Sequence, residues 1–455
     1  MHARMVRLSR FVHFLDIDKS SNIAMFNSLS MSMAVIDEEV VHMLKDGHLD
    51  LISRHELDLL IKHKILATEK DDDRDLEKAR SFFEKKVIGT LCLMLTDACN
   101  LKCRYCFVEH RFPASHKFSM MSLETAKKGI DLFSSVLPES IKSGLEQPTI
   151  NFYGGEATMN LETLSFSLDY INRLKERNKL PSNLLVSLNT NATLISEDIA
   201  VLLKKSGVSA SISIDGPKDI HDSARLDTAG KGSYDDAIRG LAILKKAGVP
   251  VGISCAVDLH NLSSLEDIAR WYNQKLSVKI FGFNILLEGG IKYPDFDYAD
   301  YAEKVGDKLT RIFQICRGIG VREERTARLA SAFAHGQIHY YDCGACGQQI
   351  VVDPTGMIGV CHSYTDTKER KYFVPFSDDV DPLSHPNWQE WRMRSPLNME
   401  ECLDCVALSL CGGGCPYNAD SRHGSIWAID KEYCPFAKKM TSFLVKDLAN
   451  KLIAR

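Results

Sequence analysis

The sequence of 455 residues contains no apolar run long enough to cross a bilayer, so no membrane-spanning helix is expected. It has no basic excess either. Its 56 Lys and Arg are offset by 60 Asp and Glu, a net charge of −4, so no overall positive field points to nucleic acid. Three arginines and a histidine occupy residues 1–10, but no long apolar core follows them. That argues against a secretory signal and for a cytoplasmic setting. No solenoid-type repeat is present. With 45% hydrophobic and 25% charged residues the composition is that of an ordinary globular protein, long enough for two or three domains.

Cysteine is abundant. There are fourteen, three of them within residues 99–106 and eight between 343 and 434. Without an export signal, such clustering points to metal or catalysis rather than to disulfides.

Three regions emerge from the patterning. In residues 1–86, Arg7–Asp16, Asn22–Asn27 and Met31–Ile36 read as short strands, and Glu38–Lys45 and Arg54–Lys64 as helices. An acidic stretch at Glu69–Glu77 leads into a charged helical connector, Asp75–Lys86. This order suits a small winged-helix-like unit, with an irregular extension as the alternative. Residues 87–330 alternate strands and helices. The strands are Val87–Leu95, Thr149–Tyr153, Leu184–Thr190, Ser209–Ile214, Val251–Val257 and Val278–Leu286. Six such units imply an α/β fold with a parallel sheet, and since a full barrel needs eight, a partial (β/α)6 TIM-like barrel is expected. Residues 331–455 break the pattern. The stretch to Cys434 is rich in Cys, Gly and Pro and lacks the apolar area for a core, so metal is expected to hold it. Ala437–Ala454 reads as a closing amphipathic helix.

Cys99, Cys103 and Cys106 follow the first barrel strand, on the side where parallel α/β folds keep their active sites. Their C-x3-C-x2-C spacing places three thiolates on one tight loop. Three thiolates can hold three irons of a 4Fe–4S cube and leave the fourth iron open. Structural zinc, a redox pair of Cys103 and Cys106, and buried free cysteines are the alternatives.

Several motifs in order resemble the radical S-adenosylmethionine (SAM) superfamily, over Val87 to Asn284. The resemblance implies that the open iron binds SAM and passes it one electron, releasing a deoxyadenosyl radical that abstracts hydrogen. Tyr105 holds the aromatic place before the last cysteine, against the adenine. Tyr153-Gly154-Gly155-Glu156 matches the family's GGE motif at the end of the second strand, whose backbone binds the SAM amino group. Leu188–Thr193, with Asn191, matches the segment ending the third strand. Ser211–Pro217, His221, Asp222 and Arg225 match the next, where the resemblance gives Ser213 to the ribose and Arg225 to the carboxylate.

The C-terminal cysteines are Cys343, Cys346, Cys361, Cys402, Cys405, Cys411, Cys415 and Cys434. Ile350–Val352 and Met357–Val360 form a hairpin about Asp353-Pro354-Thr355-Gly356, which carries Cys361 back toward Cys343 and Cys346. This pattern resembles the SPASM extension of radical SAM enzymes, which holds two auxiliary 4Fe–4S clusters. The resemblance groups Cys343, Cys346, Cys361 and Cys415 around the first. It groups Cys402, Cys405, Cys411 and Cys434 around the second. Three clusters would take eleven thiolates, the number these motifs supply, which leaves Cys92, Cys255 and Cys316 as core residues. If Cys343 is a bystander, the first auxiliary cluster has an open iron that could take a substrate thiol. Zinc is the alternative for the C-terminal set.

The family it resembles includes peptide maturases and enzymes that oxidise serine or cysteine in sulfatases, so a polypeptide is the expected substrate. The resemblance implies a precursor peptide with a leader as substrate, a crosslink such as a thioether or another side-chain bond as product, and flavodoxin or ferredoxin as reductant. Sulfatase-maturating relatives place an aspartate base directly after the cysteine aligned with Cys361. His362 stands there instead, which disfavours that activity and makes His362 a candidate base. The N-terminal unit would take the leader as an extra strand. A non-catalytic iron–sulfur or zinc protein is the alternative of another class.

Overall fold

The computed structural model describes residues 6–17, 20–108, 116–288, 293, 295–365 and 370–454. Half of the basic N-terminal stretch, residues 1–5, therefore lies outside the described residues. In the N-terminal unit the expected first strand is split into β1 (Arg7–Leu8) and β2 (Val12–Asp16). A turn separates them, closed by a hydrogen bond from the Val12 amide to the Ser9 carbonyl (3.0 Å). β2, β3 (Asn22–Asn27) and β4 (Met33–Asp37) form an antiparallel sheet in that order, while β1 pairs with β5 (Leu66–Ala67). Helices Glu38–Lys45 and Arg54–Lys62 follow β4. The connector helix starts earlier than its charge pattern suggests, at Glu69. Thr68 and Asp71 form a capping box there, each side chain accepting from the other's amide. This unit is seated on the C-terminal region. Phe11, Leu29, Leu76, Ala79 and Phe83 share a core with Tyr341, Cys346, Leu397 and Leu408, and Phe82 stacks on Tyr340 at 3.8 Å.

The barrel is built by period-two alternation. β6 (Thr90–Met94), β7 (Thr149–Tyr153), β8 (Leu185–Thr190), β9 (Ser209–Ser213), β10 (Val251–Val257) and β11 (Ile280–Ile285) are parallel and adjacent in chain order. In β8, Val186 and Leu188 are buried and Ser187 and Asn189 are half-buried. The registers Leu93↔Phe152, Phe152↔Leu188 and Leu188↔Ala210 run one apolar row across the sheet. That row faces the helices: a Cβ on Gly129 of helix Leu123–Lys142 would lie 3.1 Å from Leu93. The opposite row, with Asn151, Ser187 and Ser211, faces the lumen and is small and polar.

Two additions complete the sheet. β12 (Arg322–Glu323) pairs parallel with β11. β13 (Gln349–Val352), from the cysteine-rich region, pairs parallel with β6, and β14 (Met357–Gly359) and β15 (Phe373–Pro375) extend it antiparallel. The hairpin between β13 and β14 is present, with Asp353 Oδ1 accepting from the amides of Thr355 and Met357 (2.9 Å each) and Gly356 at φ +83°. The closing helix runs Cys434–Ile453 and is tied to helix Tyr298–Ile319 by Arg317 on Asp447 (2.9 Å). Among the described residues no helix is long and apolar enough to cross a membrane.

Candidate functional site

The loop after β6 is held by its backbone. The Cys106 amide donates to the Cys103 carbonyl (3.0 Å), and the amides of Lys102 and Arg104 donate to the carbonyls of Leu226 and Ala224 (2.7 and 2.9 Å). Cys99, Cys103 and Cys106 are thereby gathered on one turn. Burial pushes the Cys99 thiol up, and Glu156, Cys103 and Cys106 add to the effect. Thiols in such a place ionise when a metal holds them, so the donor set fits a metal cluster.

Gly154 and Gly155 press against this loop. A Cβ on Gly154 (φ +145°) would lie 2.3 Å from the Thr96 carbonyl oxygen, and one on Gly155 2.2 Å from that of Ala98. The Gly155 and Glu156 amides donate to the same two carbonyls (2.8 and 2.9 Å). The GGE glycines are thus required by the cysteine loop itself. The Glu156 carboxylate is fully engaged within the protein, accepting from Thr158 Oγ1 (2.6 Å), Thr190 Oγ1 (2.7 Å) and the Asn191 amide (2.7 Å). It braces the ends of β7 and β8. Asn191 Nδ2 lies 3.9 Å from Cys99 Sγ and donates to Asn100 (2.9 Å). Ser213 ends β9 half-buried.

Arg225 is buried. Its Nε and Nη2 donate to the two carboxylate oxygens of Asp215 (2.8 and 3.3 Å), and its Nη1 lies 3.8 Å from Cys103 Sγ. The Tyr105 hydroxyl donates to the same carboxylate, and the guanidinium sits 5.3 Å from the Tyr105 ring centre. Asp215 is a site residue to which the match over Ser211–Pro217 gives no role; its signal is an acid closing a barrel strand ten residues before Arg225. His221 is a brace. Its Nδ1 accepts from the Asp215 amide (3.4 Å), and its Nε2 meets Ser233 Oγ (3.1 Å), which in turn donates to the Arg225 carbonyl (2.8 Å). Burial lowers its pKa to about 4 and keeps the ring neutral.

His362 lies beside the end of β7 and the cysteine loop, its ring 5.0 Å from that of Tyr153 and 5.8 Å from that of Phe107, the residue after Cys106. β14 and Cys361 deliver it there.

The C-terminal thiols fall into two groups. Those of Cys343 and Cys346 share a hydrogen bond, and Cys415 lies within electrostatic reach of Cys343 and Cys361. Gly412, Gly413 and Gly414 carry the chain from Cys411 of one group to Cys415 of the other, all left-handed at φ +68°, +87° and +67°. A Cβ on Gly412 would lie 2.3 Å from the Asp342 amide nitrogen, so this triplet can run against the Cys343 loop. Sequence reading passed over the triplet, although three consecutive glycines between two cysteines were its signal. Cys402, Cys405, Cys411 and Cys434 line one cavity, with Cys434 on the first turn of the closing helix. Among the described residues no three Cys, His, Asp or Glu side chains converge tightly enough for a single ion. Cys92, Cys255 and Cys316 are buried, and burial, with Cys361 nearby, pushes the Cys92 thiol up to about 12.

Residues 93–272 match the family described as the radical SAM superfamily. The chain is 23% identical to the radical SAM cyclopropyl synthase TigE of Paramaledivibacter caminithermalis, over 98% of this chain and 97% of that protein. It is 25% identical to a cysteine-type anaerobic sulfatase-maturating enzyme of Clostridium novyi, over 74% and 89%. The solved structure of native anSMEcpe with bound AdoMet shares the fold, with a TM-score of 0.65 and 23% identity over 79% of this chain and 99% of that one.

Proposed function

From the premise that the chain is a radical SAM enzyme, we propose that it modifies a ribosomally made precursor peptide, installing a crosslink such as a thioether or another side-chain bond. The observation that carries this reading is the extent of the likeness to a radical SAM cyclopropyl synthase. It takes in the N-terminal unit, the barrel and the cysteine-rich region together. A loaded site would supply one electron to SAM and hence a hydrogen-abstracting radical. Cys99, Cys103 and Cys106 would hold the SAM-binding 4Fe–4S cluster. Cys343, Cys346, Cys361 and Cys415 would hold one auxiliary cluster, and Cys402, Cys405, Cys411 and Cys434 the other.

This chain's own side chains would do the rest. Arg225, aimed by Asp215 and beside Cys103, is suited to a carboxylate of SAM. Tyr105, Gly154, Gly155, Asn191 and Ser213 would frame the remainder of the cofactor, with Glu156 holding the frame. His362, in the barrel mouth, would take a substrate proton as the new bond closes. Among the described residues β4 pairs only with β3, so its outer edge suits a leader peptide added as a strand. The electron would come from flavodoxin or ferredoxin.

The likeness to a sulfatase-maturating enzyme supports a second reading, oxidation of a cysteine or serine of a sulfatase to formylglycine. His362, in place of the expected aspartate, weighs against it.

Anaerobically reconstituted protein should carry about twelve irons for three cubes and cleave SAM reductively. With a precursor peptide it should give a product lighter by two hydrogens per crosslink. His362→Gln should keep SAM cleavage and cut product formation by about 100-fold. Full product formation by His362→Gln removes the base role; oxidation of a sulfatase peptide but of no precursor favours the second reading.

A further inference from the structure

Arg394 caps helix Pro386–Met393 and is wholly buried. All three of its hydrogen bonds end on backbone carbonyls: Nε on Ile426, Nη1 on Gly414 (3.3 Å) and Nη2 on Ala428 (3.4 Å). Among the described residues it has no carboxylate at ion-pair distance. Asp430, the acid on this side of the chain, pairs through Oδ1 with Arg422 at 2.8 Å and meets Arg394 only at longer range, without a hydrogen bond or ion pair between them. Buried Arg225, by contrast, has Asp215. Carbonyl dipoles orient a guanidinium but do not neutralise it, so a buried arginine of this kind calls for an anion.

The surroundings of Arg394 indicate which anion. A Cβ on Gly413 would lie 3.0 Å from its Nη1, and Gly413 and Gly414 join Cys411 to Cys415, one thiol from each C-terminal group. Its charge also acts on Cys346 of the first group and on Cys402 of the second. Arg394 therefore stands between the two thiol groups and touches neither as a ligand. We propose that Arg394 is the shared counter-charge of two auxiliary 4Fe–4S clusters, raising the reduction potential of both. Four thiolates on a cube leave it net negative, and a cation fixed nearby favours the reduced form, which carries one electron more. The inference rests on the reading of these eight cysteines as ligands of two clusters.

The test is a redox titration followed by electron paramagnetic resonance. It uses full-length, anaerobically purified protein carrying Cys99→Ala, Cys103→Ala and Cys106→Ala, so that only the C-terminal clusters respond. Arg394→Lys keeps the charge and should titrate with this parent. Arg394→Gln should shift the reduction equilibrium about tenfold toward the oxidised form, about 59 mV lower for one electron, or shed its iron. A full iron complement with unmoved potentials in Arg394→Gln overturns the proposal, as does equal behaviour of the two variants. Fewer than about eight irons in the parent would instead overturn the two-cluster reading itself.

Discussion

Asp215 holds together groups that lie far apart in the chain. Its carboxylate takes Arg225, the Tyr105 hydroxyl and the Ala256 amide (3.1 Å), and its own amide donates to His221. Asp215→Asn would leave the Arg225 guanidinium buried without its counterion, at a cost of about 3 kcal/mol. Denaturant unfolding should show that loss, and Arg225→Met in the same chain should recover part of it. Unfolding of Asp215→Asn at the parent midpoint would mean that the pair does not brace the site. His221 adds a pH dependence. Its folded pKa, about 4, lies below the ordinary 6.5, so the unfolded chain binds more protons between those values. Stability from this group is therefore complete above pH 6.5 and is lost as pH falls toward 4, by about 3 kcal/mol in all. His221→Asn should flatten that slope between pH 7 and 5; an unchanged slope would assign it to other groups.

The elements differ in how far the sequence revealed them. Six barrel strands were legible because each places an apolar residue at every second position over five or more residues, and the cysteine loop because its spacing is compact. β1, β5 and β12 have two residues each, too few to show a period, and exist by pairing. The seat of β13 against β6 was unreadable for another reason: its hairpin could be seen, but its partner lies more than 250 residues earlier. Asp215, the glycine triplet and Arg394 went unassigned because their roles depend on what they meet across the fold. The N-terminal unit illustrates the practical effect. Its deletion would strip Phe11, Leu29, Leu76 and Ala79 from the core that contains Cys346, so loss of activity on truncation would not isolate peptide binding. Hydrogen exchange is the cleaner probe. Adding full-length precursor should slow exchange at the outer amides of β4, while a leaderless core peptide should not; equal effects would refute leader pairing at that edge.

At the scale of the whole molecule, two kinds of cohesion meet. The barrel has a continuous apolar core, from Leu93 through Phe152 and Leu188 to Phe281 and Phe283. The stretch from Pro396 to Cys434, expected to lack apolar area, does lend Ala407, Leu410, Tyr417 and Ile426 to that core, but the rest of it is short helical turns, four left-handed glycines and thiols that burial pushes up, Cys402 to about 11. Without metal these thiols are neutral and tie nothing together. Chelating the iron under reducing conditions should expose residues 396–434 to limited proteolysis at least tenfold faster, while residues 123–285 stay resistant. Mass spectrometry of the fragments reads the difference, and uniform cleavage of both regions would show that metal does not hold this stretch.

The run of β13 along β6 bears on protein engineering. A cysteine-rich C-terminal region looks like a cassette that can be exchanged between enzymes of this kind. Here its first strand is hydrogen-bonded into the sheet of the barrel, with Ile350 opposite Leu91 and Val351 opposite Cys92. A splice made ahead of β13 must reproduce that alignment to the residue, because a slip of one would turn its side chains to the opposite face and carry Cys361 and His362 out of the barrel mouth. Chimaeras that keep β13 and β14 with the host barrel, and exchange only the residues beyond His362, should fold far more often than those cut at the apparent domain boundary.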